Sequence, residues 1–368
     1  MKQFNILHID SEFDWRGGQQ QAVYLFEGLL KRNYKTKFVC QPNSKLLTYF
    51  QSNKLPFYEI GMRGEIDIFS AIKIANLCRK ENYNIIHAHS AHALSIGLLV
   101  KLFYSKVKLI GVRRVDFHLR NNIFSKYKYH TNLVSKIICI SNGIKKVLLE
   151  DGIPTNKLRV IHSGIDLHKF DNAIKMKNFR KKYNISQNDL IIGTIAALVG
   201  HKDYPNLLAA SKIVLSKIKD ITFVAIGSGK DEKRIKSIAH KLDLKNKFIF
   251  LGYQKNIAEL IKNFDIFVLA SKKEGLGTSI LDAQSIGLPV IGTKTGGIPE
   301  AVYHNKNGLL IEPQNPNKLA EAIIKLASDK ELREKFSNYS KKSVKEFDIE
   351  LTIEKNILLY KELLYETV

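Results

Sequence analysis

Apolar and polar positions along this chain follow two alternating patterns. Short runs rich in β-branched and aromatic residues are separated by longer segments in which apolar residues recur at helical spacing. This alternation is typical of parallel sheets covered by helices. Helices are predicted over residues 204–219 and 231–242, among others. Strands are predicted in FNILHI, TKFVC, PFYEI, NIIHAH, VKLIGV, KIICI and LRVIH, and then in LIIGTI, ITFVAI, KFIFL, DIFVLA, PVIGT and GLLIE.

The strand pattern begins again in the second half, which predicts two doubly wound domains, and a length of 368 residues favours the same division. Periodic apolarity fades over HSGIDLHKFDNAIKMKNFRKKYNIS, so the boundary is placed near residues 164–170. We predict an N-terminal Rossmann-like domain of residues 1–166, onto which a C-terminal helix at 347–368 crosses back. Residues 167–346 are predicted to form the second domain. Such sheets bind ligands at the carboxyl ends of their strands.

The charge balance narrows the class of partner. The chain has 58 Lys and Arg residues against 35 Asp and Glu residues, a formal net charge of +23. A field of that sign favours a phosphorylated substrate, an anionic lipid surface or nucleic acid. The chain is also rich in Lys, Asn and Ile, and biased codon usage would produce the same excess. Charge alone therefore indicates the sign of a partner and not its identity.

Targeting signals and cysteine usage bear on the compartment. The opening MKQFNILHIDSEFDW has one early Lys and an apolar run broken by Asn5 and His8, which does not fit a secretory signal. The most apolar long segment, ALSIGLLVKLFY, is shorter than the roughly 20 residues that cross a bilayer. Cys40, Cys78 and Cys139 are odd in number and widely spaced, which predicts buried reduced thiols rather than disulfides or a zinc site. We expect a cytoplasmic protein.

The candidate chemistry is concentrated in LASKKEGLGTSILDAQSIGLPVIGTKTGGIPE, residues 269–300. DIFVLA is a predicted strand, SKKEGLG the turn at its carboxyl end, and TSILDAQSIG a helix that Gly287 ends. The N–H groups of Gly277, Thr278 and Ser279 are expected to be free at that helix start, where the helix dipole favours phosphate. Glycines at 275 and 277 let a ligand approach the backbone closely.

This stretch resembles the signature of retaining glycosyltransferases of family 4, the group 1 glycosyltransferases. That signature is a Glu, a glycine-rich turn and a second acid after seven intervening residues. Other segments are similar to the family in the same order: GGQQQAVYLFEGLLKRNYK, IICISNGIKKVLL, VIHSGIDLHKF and FLGYQKNIAELIKNFDIFVLAS. The resemblance covers nearly the whole chain. It implies the GT-B fold, an α/β arrangement of two doubly wound Rossmann-like domains facing across a cleft.

The resemblance also implies roles for particular residues. Glu274 matches the family's Glu beside the donor sugar, and Lys202 in ALVGHKDYPNLL matches the lysine that neutralises the donor diphosphate. Asp282 matches the acid that holds the nucleotide ribose, which in the family is generally Glu. Other candidate donor-binding residues lie in the turn itself and in three further glycine-containing loops: Gly275, Leu276, Gly277, Thr278, Gly17, Gly18, Gly227 and Tyr253.

The sequence departs from the family in one charged position. The family usually carries an Arg five residues before the lysine, where this chain has Ala197. Either Lys202 and the turn amides suffice, or Arg16, Arg113 or Arg114 supplies the second charge.

Many relatives place a histidine of the catalytic site after the strand that VKLIGV resembles. Arg114 occupies that position here, with Asp116 and His118 close in sequence. These three are candidate acceptor-side residues, and no base is assigned among them. A solvated loop histidine is the alternative interpretation of His118.

A metal ion is not predicted. HAHSAH supplies His87, His89 and His92, but His92 falls beyond the strand, and no Cys or carboxylate completes a tetrahedral set. The chain also lacks the Asp-X-Asp pair with which metal-dependent sugar transferases hold a divalent ion. We expect no cofactor beyond the substrate, a nucleotide sugar linked to UDP or GDP, and expect Lys202 and helix amides to take the ion's role.

The predicted function is therefore a retaining, metal-independent hexosyl transfer from a nucleotide diphosphate sugar to a hydroxyl of a glycan or lipid-linked acceptor, as in lipopolysaccharide or cell-surface polysaccharide synthesis. The stretch at residues 101–130 interleaves Lys and Arg with aromatic residues, which predicts peripheral association with an anionic inner membrane face. An epimerase of the same fold is one alternative. A basic nucleic-acid-binding protein is another, but no nucleic-acid motif supports it.

Overall fold

The computed structural model describes residues 4–119 and 123–365. The chain divides into two compact units, each with its own sheet. Unit 1 comprises Met1–Gly164 together with Ile349–Val368, and unit 2 comprises Ile165–Asp348. The predicted boundaries were 166/167 and 346/347.

Unit 1 contains a seven-stranded parallel sheet in the order β3-β2-β1-β4-β5-β6-β7. Its strands are β1 (Ile6–Asp10), β2 (Thr36–Cys40), β3 (Phe57–Glu59), β4 (Ile85–Ala88), β5 (Lys108–Arg113), β6 (Val134–Cys139) and β7 (Leu158–Val160). Its helices are α1 (Gly17–Lys31), α2 (Lys45–Ser52), α3 (Ile68–Glu81), α4 (Ala91–Phe103), α5 (Ile123–His130), α6 (Asn142–Glu150) and the C-terminal α15 (Ile349–Tyr365).

The C-terminal helix belongs to unit 1 because its apolar face completes that core. Ile353, Ile357 and Tyr360 of α15 are buried in one cluster with β-strand residues and with Leu29 of α1. The two helices pack so closely that a Cβ on Gly28 would lie 2.3 Å from the Ile353 side chain. The predicted crossing of the last helix onto the first unit is therefore observed.

Unit 2 contains a six-stranded parallel sheet in the order β10-β9-β8-β11-β12-β13. Its strands are β8 (Leu190–Ile195), β9 (Ile221–Ile226), β10 (Phe248–Phe250), β11 (Ile266–Leu269), β12 (Val290–Thr293) and β13 (Gly308–Ile311). Its helices are α7 (Phe179–Lys182), α8 (Tyr204–Lys217), α9 (Glu232–Lys241), α10 (Ile257–Ile261), α11 (Thr278–Ser285), α12 (Ile298–Ala301), α13 (Pro316–Ser328) and α14 (Lys330–Ser343).

The strand order of each sheet reverses at one point, between β1 and β4 in unit 1 and between β8 and β11 in unit 2. Open parallel sheets bind ligands at such a switch point, outside the carboxyl ends of the strands. In unit 2, the loop after β8 carries Lys202 and the loop after β11 carries Glu274. The topology thus brings together two side chains that are far apart in sequence.

The predicted α/β class and the thirteen predicted strand segments are confirmed, and the two helices given as examples end within two residues of their predicted limits. Cys40, Cys78 and Cys139 are buried and free, as expected. Among the helices described, none has the length and apolar character that crossing a membrane requires.

Candidate active site

The turn between β11 and α11 presents Glu274 at the end of a buried strand. Gly277 sits immediately before the helix with a φ of 84°, a left-handed conformation that favours glycine. The second glycine turn of the stretch supports the loop, because the N–H of Gly297 donates to the backbone carbonyl of Glu274 at 3.3 Å. Leu276 is buried and anchors the turn from inside. The Glu274 side chain is 12% exposed, so it is largely withdrawn from water.

Lys202 meets Glu274 directly. It ends a short 3-10 helix after β8, and its Nζ forms an ion pair with Oε2 of Glu274. The same carboxylate oxygen accepts a hydrogen bond from Ser271 Oγ at 3.1 Å. The two loops are also joined through their backbones, since the N–H of Lys272 donates to the carbonyl of His201 at 2.9 Å. The switch point of unit 2 therefore holds a partly buried pair of opposite charges.

The start of α11 faces the same turn. Within the part of the chain that the structure describes, the N–H groups of Gly277, Thr278 and Ser279 have no acceptor. Free first-turn amides carry the positive end of the helix dipole, which attracts phosphate. An ammonium group, a carboxylate and a row of free amides are therefore available around one turn.

Asp282 lies on α11 and has a partner that the sequence did not reveal. Nζ of Lys169 is 3.1 Å from its Oδ2, and Lys169 lies in a short 3-10 helix soon after the start of unit 2. Burial raises the pKa of Asp282, and the charge of Lys169 opposes that rise. Asp282 is thus a shielded carboxylate with one cation beside it.

Two predicted donor-binding residues come together near the carboxyl end of β9. Gly227 has a φ of 142°, and a Cβ there would lie 2.1 Å from the carbonyl oxygen of Ala196, so backbone packing alone requires glycine. Its N–H donates to the carbonyl of Gly252 at 2.8 Å, which brings the neighbouring Tyr253 to the same edge. The Tyr253 ring is 68% exposed and is therefore not a packing residue. Ala197, the position of the missing family cation, is also exposed there.

Unit 1 brings its first glycine turn against Arg114. Gly17 and Gly18 open α1, and a Cβ on Gly18 would lie 3.2 Å from Cδ of Arg114. Burial lowers the pKa of Arg114 to about 10, while the charge of the buried Asp10 acts in the opposite direction. Asp10 in turn accepts a hydrogen bond from Gln19 Nε2 at 2.9 Å. Arg114 thus remains a cation beside the turn.

His118 is held by the end of α6, because its Nδ1 lies 2.8 Å from Oδ1 of Asp151. The other oxygen of Asp151 accepts from the N–H of Leu119 at 2.8 Å, so this carboxylate holds the loop that contains His118. Asp116 is half-buried in the same loop. The acceptor-side roles of Arg114, Asp116 and His118 stay predictions.

Comparison with known proteins decides the family. The model of the glycosyl transferases group 1 matches residues 175–343, and that of glycosyltransferase family 4 matches residues 15–169. An uncharacterised glycosyltransferase of Methanocaldococcus jannaschii is 30% identical over 309 residues, with 82% of each chain covered. The chain belongs to the family 4, group 1 glycosyltransferases.

Two further proteins are similar to this chain over nearly its whole length. The UDP-Gal:alpha-D-GlcNAc-diphosphoundecaprenol alpha-1,3-galactosyltransferase of Escherichia coli is 26% identical and covers 94% of this chain and 93% of its own. The crystal structure of Anabaena HepE in complex with UDP-glucose superposes with a TM-score of 0.82 at 20% identity, covering 98% of this chain and 100% of its own. This likeness supports the GT-B fold. The protein is a nucleotide-sugar-dependent glycosyltransferase.

Three buried histidines in unit 1 lie close enough together to be considered as ligands of a metal ion. His8, His87 and His89 place ring nitrogens within 4.8 Å of one another, whereas His92 turns away to the carbonyl of Gly64. Nδ1 of His8 and Nε2 of His89 are 2.8 Å apart, a hydrogen-bond distance. Two nitrogens on one tetrahedral zinc ion would lie roughly 3.3 Å apart, given zinc–nitrogen bonds of about 2.05 Å. One hydrogen bond thus joins His8 to His89, and another joins Nδ1 of His87 to the Tyr360 hydroxyl at 2.6 Å. The remaining ring nitrogens of the three histidines are buried and have no hydrogen-bond partner among the described residues.

The structure shows several contacts of the predicted residues that the sequence did not reveal. Lys169 contacts Asp282 across 113 positions, and no local pattern marks that pairing. Ser271 is fully buried and orients Glu274; its place two residues after the strand end was the available signal. His8 stood in the first predicted strand, and only the adjacency of β1 and β4 brings it to His87.

Proposed function

We propose that this glycosyltransferase transfers a sugar with retention of anomeric configuration and without a metal ion. The observation that carries the proposal is the contact of Lys202 with Glu274 beside the free amides of α11. A divalent ion in a sugar transferase neutralises the leaving diphosphate, and here a lysine and three amides offer that positive charge. The retaining course rests on the family resemblance of the Glu274 turn.

Each group takes one role in this proposal. Lys202 and the amides of Gly277, Thr278 and Ser279 stabilise negative charge that develops on the leaving diphosphate. Glu274 accepts hydrogen bonds from donor-sugar hydroxyls and forms no covalent bond. The acceptor hydroxyl attacks on the face that the leaving group departs from, and the departing phosphate oxygen takes its proton. Since Glu274 and Lys202 neutralise each other in the free protein, the diphosphate competes with Glu274 for the ammonium group.

The donor and acceptor classes follow from the relatives. We propose a UDP-linked sugar as donor, because the Escherichia coli relative is named for UDP-Gal and the Anabaena structure contains UDP-glucose. GDP remains the other nucleotide expected from the sequence. The same relative is named for a diphosphoundecaprenol-linked acceptor, which supports a lipid-linked acceptor in cell-surface polysaccharide or lipopolysaccharide synthesis.

A lipid-linked acceptor would bring the protein to the inner face of the cell membrane. The stretch at residues 101–130 supports peripheral association, although residues 120–122 lie outside the described part of the chain. Large apolar side chains of this stretch are exposed to solvent at five positions: Leu102, Phe103, Val115, Phe117 and Tyr127. Cations beside exposed apolar groups fit an anionic lipid surface.

The proposal is tested by incubating the purified protein with UDP- and GDP-sugars and a lipid-diphosphate sugar acceptor, with and without EDTA. We expect a product whose new linkage has the donor's anomeric configuration by NMR, formed at the same rate with EDTA present. Inversion of configuration would refute the retaining assignment, and loss of the rate with EDTA that added metal restores would refute metal independence. Conversion of the donor into an epimer without acceptor would favour the alternative enzyme.

A further inference from the structure

An exposed apolar patch lies at the start of α3, in a part of the sequence that showed no functional motif. Four side chains form this α3 patch, with exposed fractions of 69%, 48%, 81% and 38%: Ile66, Ile68, Phe69 and Ile72. Soluble monomers expose single large apolar residues often, but seldom a contiguous group that marks no interaction. Phe69 stands almost entirely in water, so the patch protrudes and forms no groove.

The helix surface around the patch is basic. The buried side of α3 is Ser70, Ala71, Ile74, Ala75 and Cys78, which packs the helix onto unit 1. The exposed positions that follow the patch along the helix are Lys73, Asn76, Arg79 and Lys80. The helix of 14 residues is about 21 Å long, so these cations lie within two or three turns of Phe69.

The nearby carboxylates are already engaged. Asp67 caps α3 through the N–H of Ser70 and also accepts from the N–H of Arg63. Glu65 is held by Nζ of Lys128 at 3.1 Å. The local net charge around the α3 patch is positive because five cations outnumber three acids: Arg63, Lys73, Arg79, Lys80 and Lys128 against Glu65, Asp67 and Glu81.

Two hydrogen bonds tie α3 and the residue that precedes the patch to described parts of the basic and aromatic stretch at residues 101–130. Arg79 Nη2 donates to the carbonyl of Phe103 at 3.2 Å, which joins the ends of α3 and α4. The bond from Lys128 to Glu65 joins α5 to the residue that precedes Ile66. Both links lie within unit 1, so the apolar side chains and the cations belong to the same compact unit.

We propose that the α3 patch is the membrane-inserting surface of this glycosyltransferase and that its ligand is an anionic phospholipid bilayer. Phe69 and the three isoleucines enter the headgroup region, while Lys73, Arg79 and Lys80 bind lipid phosphates. A bilayer satisfies a protruding apolar group and a ring of cations together, because acyl chains and phosphates lie at adjacent depths. The inference rests on the proposed membrane-borne acceptor but is tested without it.

A fluorescent probe at the most exposed position gives the direct test. Trp15 is the single tryptophan, so a Trp15→Phe, Phe69→Trp protein reports on position 69 alone. With vesicles of phosphatidylglycerol and phosphatidylcholine whose acyl chains are brominated, we expect a blue shift and quenching. The matched control is Trp15→Phe, Tyr253→Trp, because Tyr253 is exposed to 68% in unit 2. Equal quenching of both probes, or of neither, would overturn the proposal.

Vesicle co-sedimentation then measures the contributions of the apolar side chains and of the cations separately. A Phe69→Ser, Ile72→Ser variant should partition at least about tenfold more weakly, because each side chain loses its transfer into apolar surroundings. A Lys73→Ala, Lys80→Ala variant should bind several-fold more weakly and respond less to salt. Leu358→Ser is the control, since Leu358 is 54% exposed on α15 of the same unit. Variants that bind like the control would contradict the proposal.

Rates of sugar transfer to a soluble and to a vesicle-borne acceptor test the membrane surface separately from the proposed function. The serine variant should keep its rate on a soluble acceptor analogue and lose rate on the same acceptor in vesicles. Patch-dependent vesicle binding by a protein that transfers no sugar would leave the surface inference standing while the function fails. If the serine substitutions instead convert a dimer to a monomer in light scattering, the patch binds a second copy of the chain and the bilayer proposal is wrong.

Discussion

At the scale of single residues, the Lys202–Glu274 pair carries the strongest prediction. In Glu274→Gln the carboxylate charge is lost at nearly constant shape, and in Lys202→Met the ammonium is lost. We expect kcat to fall by about 100-fold or more in each. Lys202→Met loses the positive charge that stabilises the leaving diphosphate, and Glu274→Gln loses the anionic acceptor that positions the donor sugar. Steady-state kinetics with the identified donor measures the effect.

The control for that prediction is Lys272, which lies on the loop after β11 that also carries Glu274. Lys272 and Lys273 are both exposed, so Lys272→Met removes a positive charge from the loop without touching the ion pair. Its kcat should stay within a few-fold of the unchanged protein. If Lys202→Met and Lys272→Met behaved alike, the effect would come from net charge and not from the position of Lys202.

Asp282 carries a second residue-scale prediction. If this carboxylate holds the donor ribose, Asp282→Asn removes binding that is equal in ground and transition states, and KM for the donor rises about tenfold with little change in kcat. Asp282→Glu, the residue that the family generally has, should keep KM within a few-fold. Lys169→Met tests whether the ion pair with Lys169 matters for this role, because the substitution leaves Asp282 without its neighbouring cation. An unchanged KM in Asp282→Asn would refute the ribose role.

At the scale of elements, the adjacency of β1 and β4 buries three histidines, and this makes a pH prediction. Burial lowers the pKa of His8 to about 3 and those of His87 and His89 well below their ordinary value of 6.5. Below pH 6.5 the unfolded chain takes up protons that the folded state does not bind. Stability therefore falls as the pH drops from 6.5 towards 3, by at most about 1.4 kcal/mol per pH unit for each histidine.

Chemical denaturation of the protein at a series of pH values between 4 and 7 measures this slope. A His8→Gln variant should have a shallower slope, because one of the three groups no longer protonates on unfolding. The groups around the cluster are Tyr360, whose hydroxyl lies 2.6 Å from His87 Nδ1, and the cation of Arg114. His130→Gln, at an exposed position of α5, is the control and should show a smaller change. Equal slopes for both variants would contradict the burial argument.

The elements also show which features a sequence can reveal. The strands were predictable because a parallel strand is buried on both faces and stands out as a short apolar run, as ITFVAI does in β9. The start of α11 was predictable because Gly277 and the following helix are local. The histidine cluster and the Lys169–Asp282 pair were not, since each depends on which strands and loops become neighbours after folding. The exposure of the α3 patch likewise depends on which helix face the sheet covers.

At the scale of the whole molecule, binding of the donor nucleotide should stabilise the folded protein, and the size of that effect should identify the nucleotide. A nucleotide that binds only the native state raises the melting temperature, and at 100 times its Kd the gain is about 2.7 kcal/mol. For a unit of this size that corresponds to a shift of about 5–10 °C. A thermal-shift screen with UDP, GDP, ADP and CMP, with EDTA present, should give this shift with one nucleoside diphosphate, and we expect UDP.

Selectivity decides how that screen is interpreted, because a protein with a net charge of +23 attracts any polyanion. Binding through Lys202 and the α11 amides should persist at physiological salt, because salt screens the charges of a partly buried site less than those of exposed side chains. Lys202→Met should reduce the UDP shift, whereas Lys272→Met should leave it. Equal shifts with all four nucleotides that vanish in salt would mean that the unit 2 switch point holds no donor, and the proposed roles of Lys202, Glu274 and Asp282 would fall together.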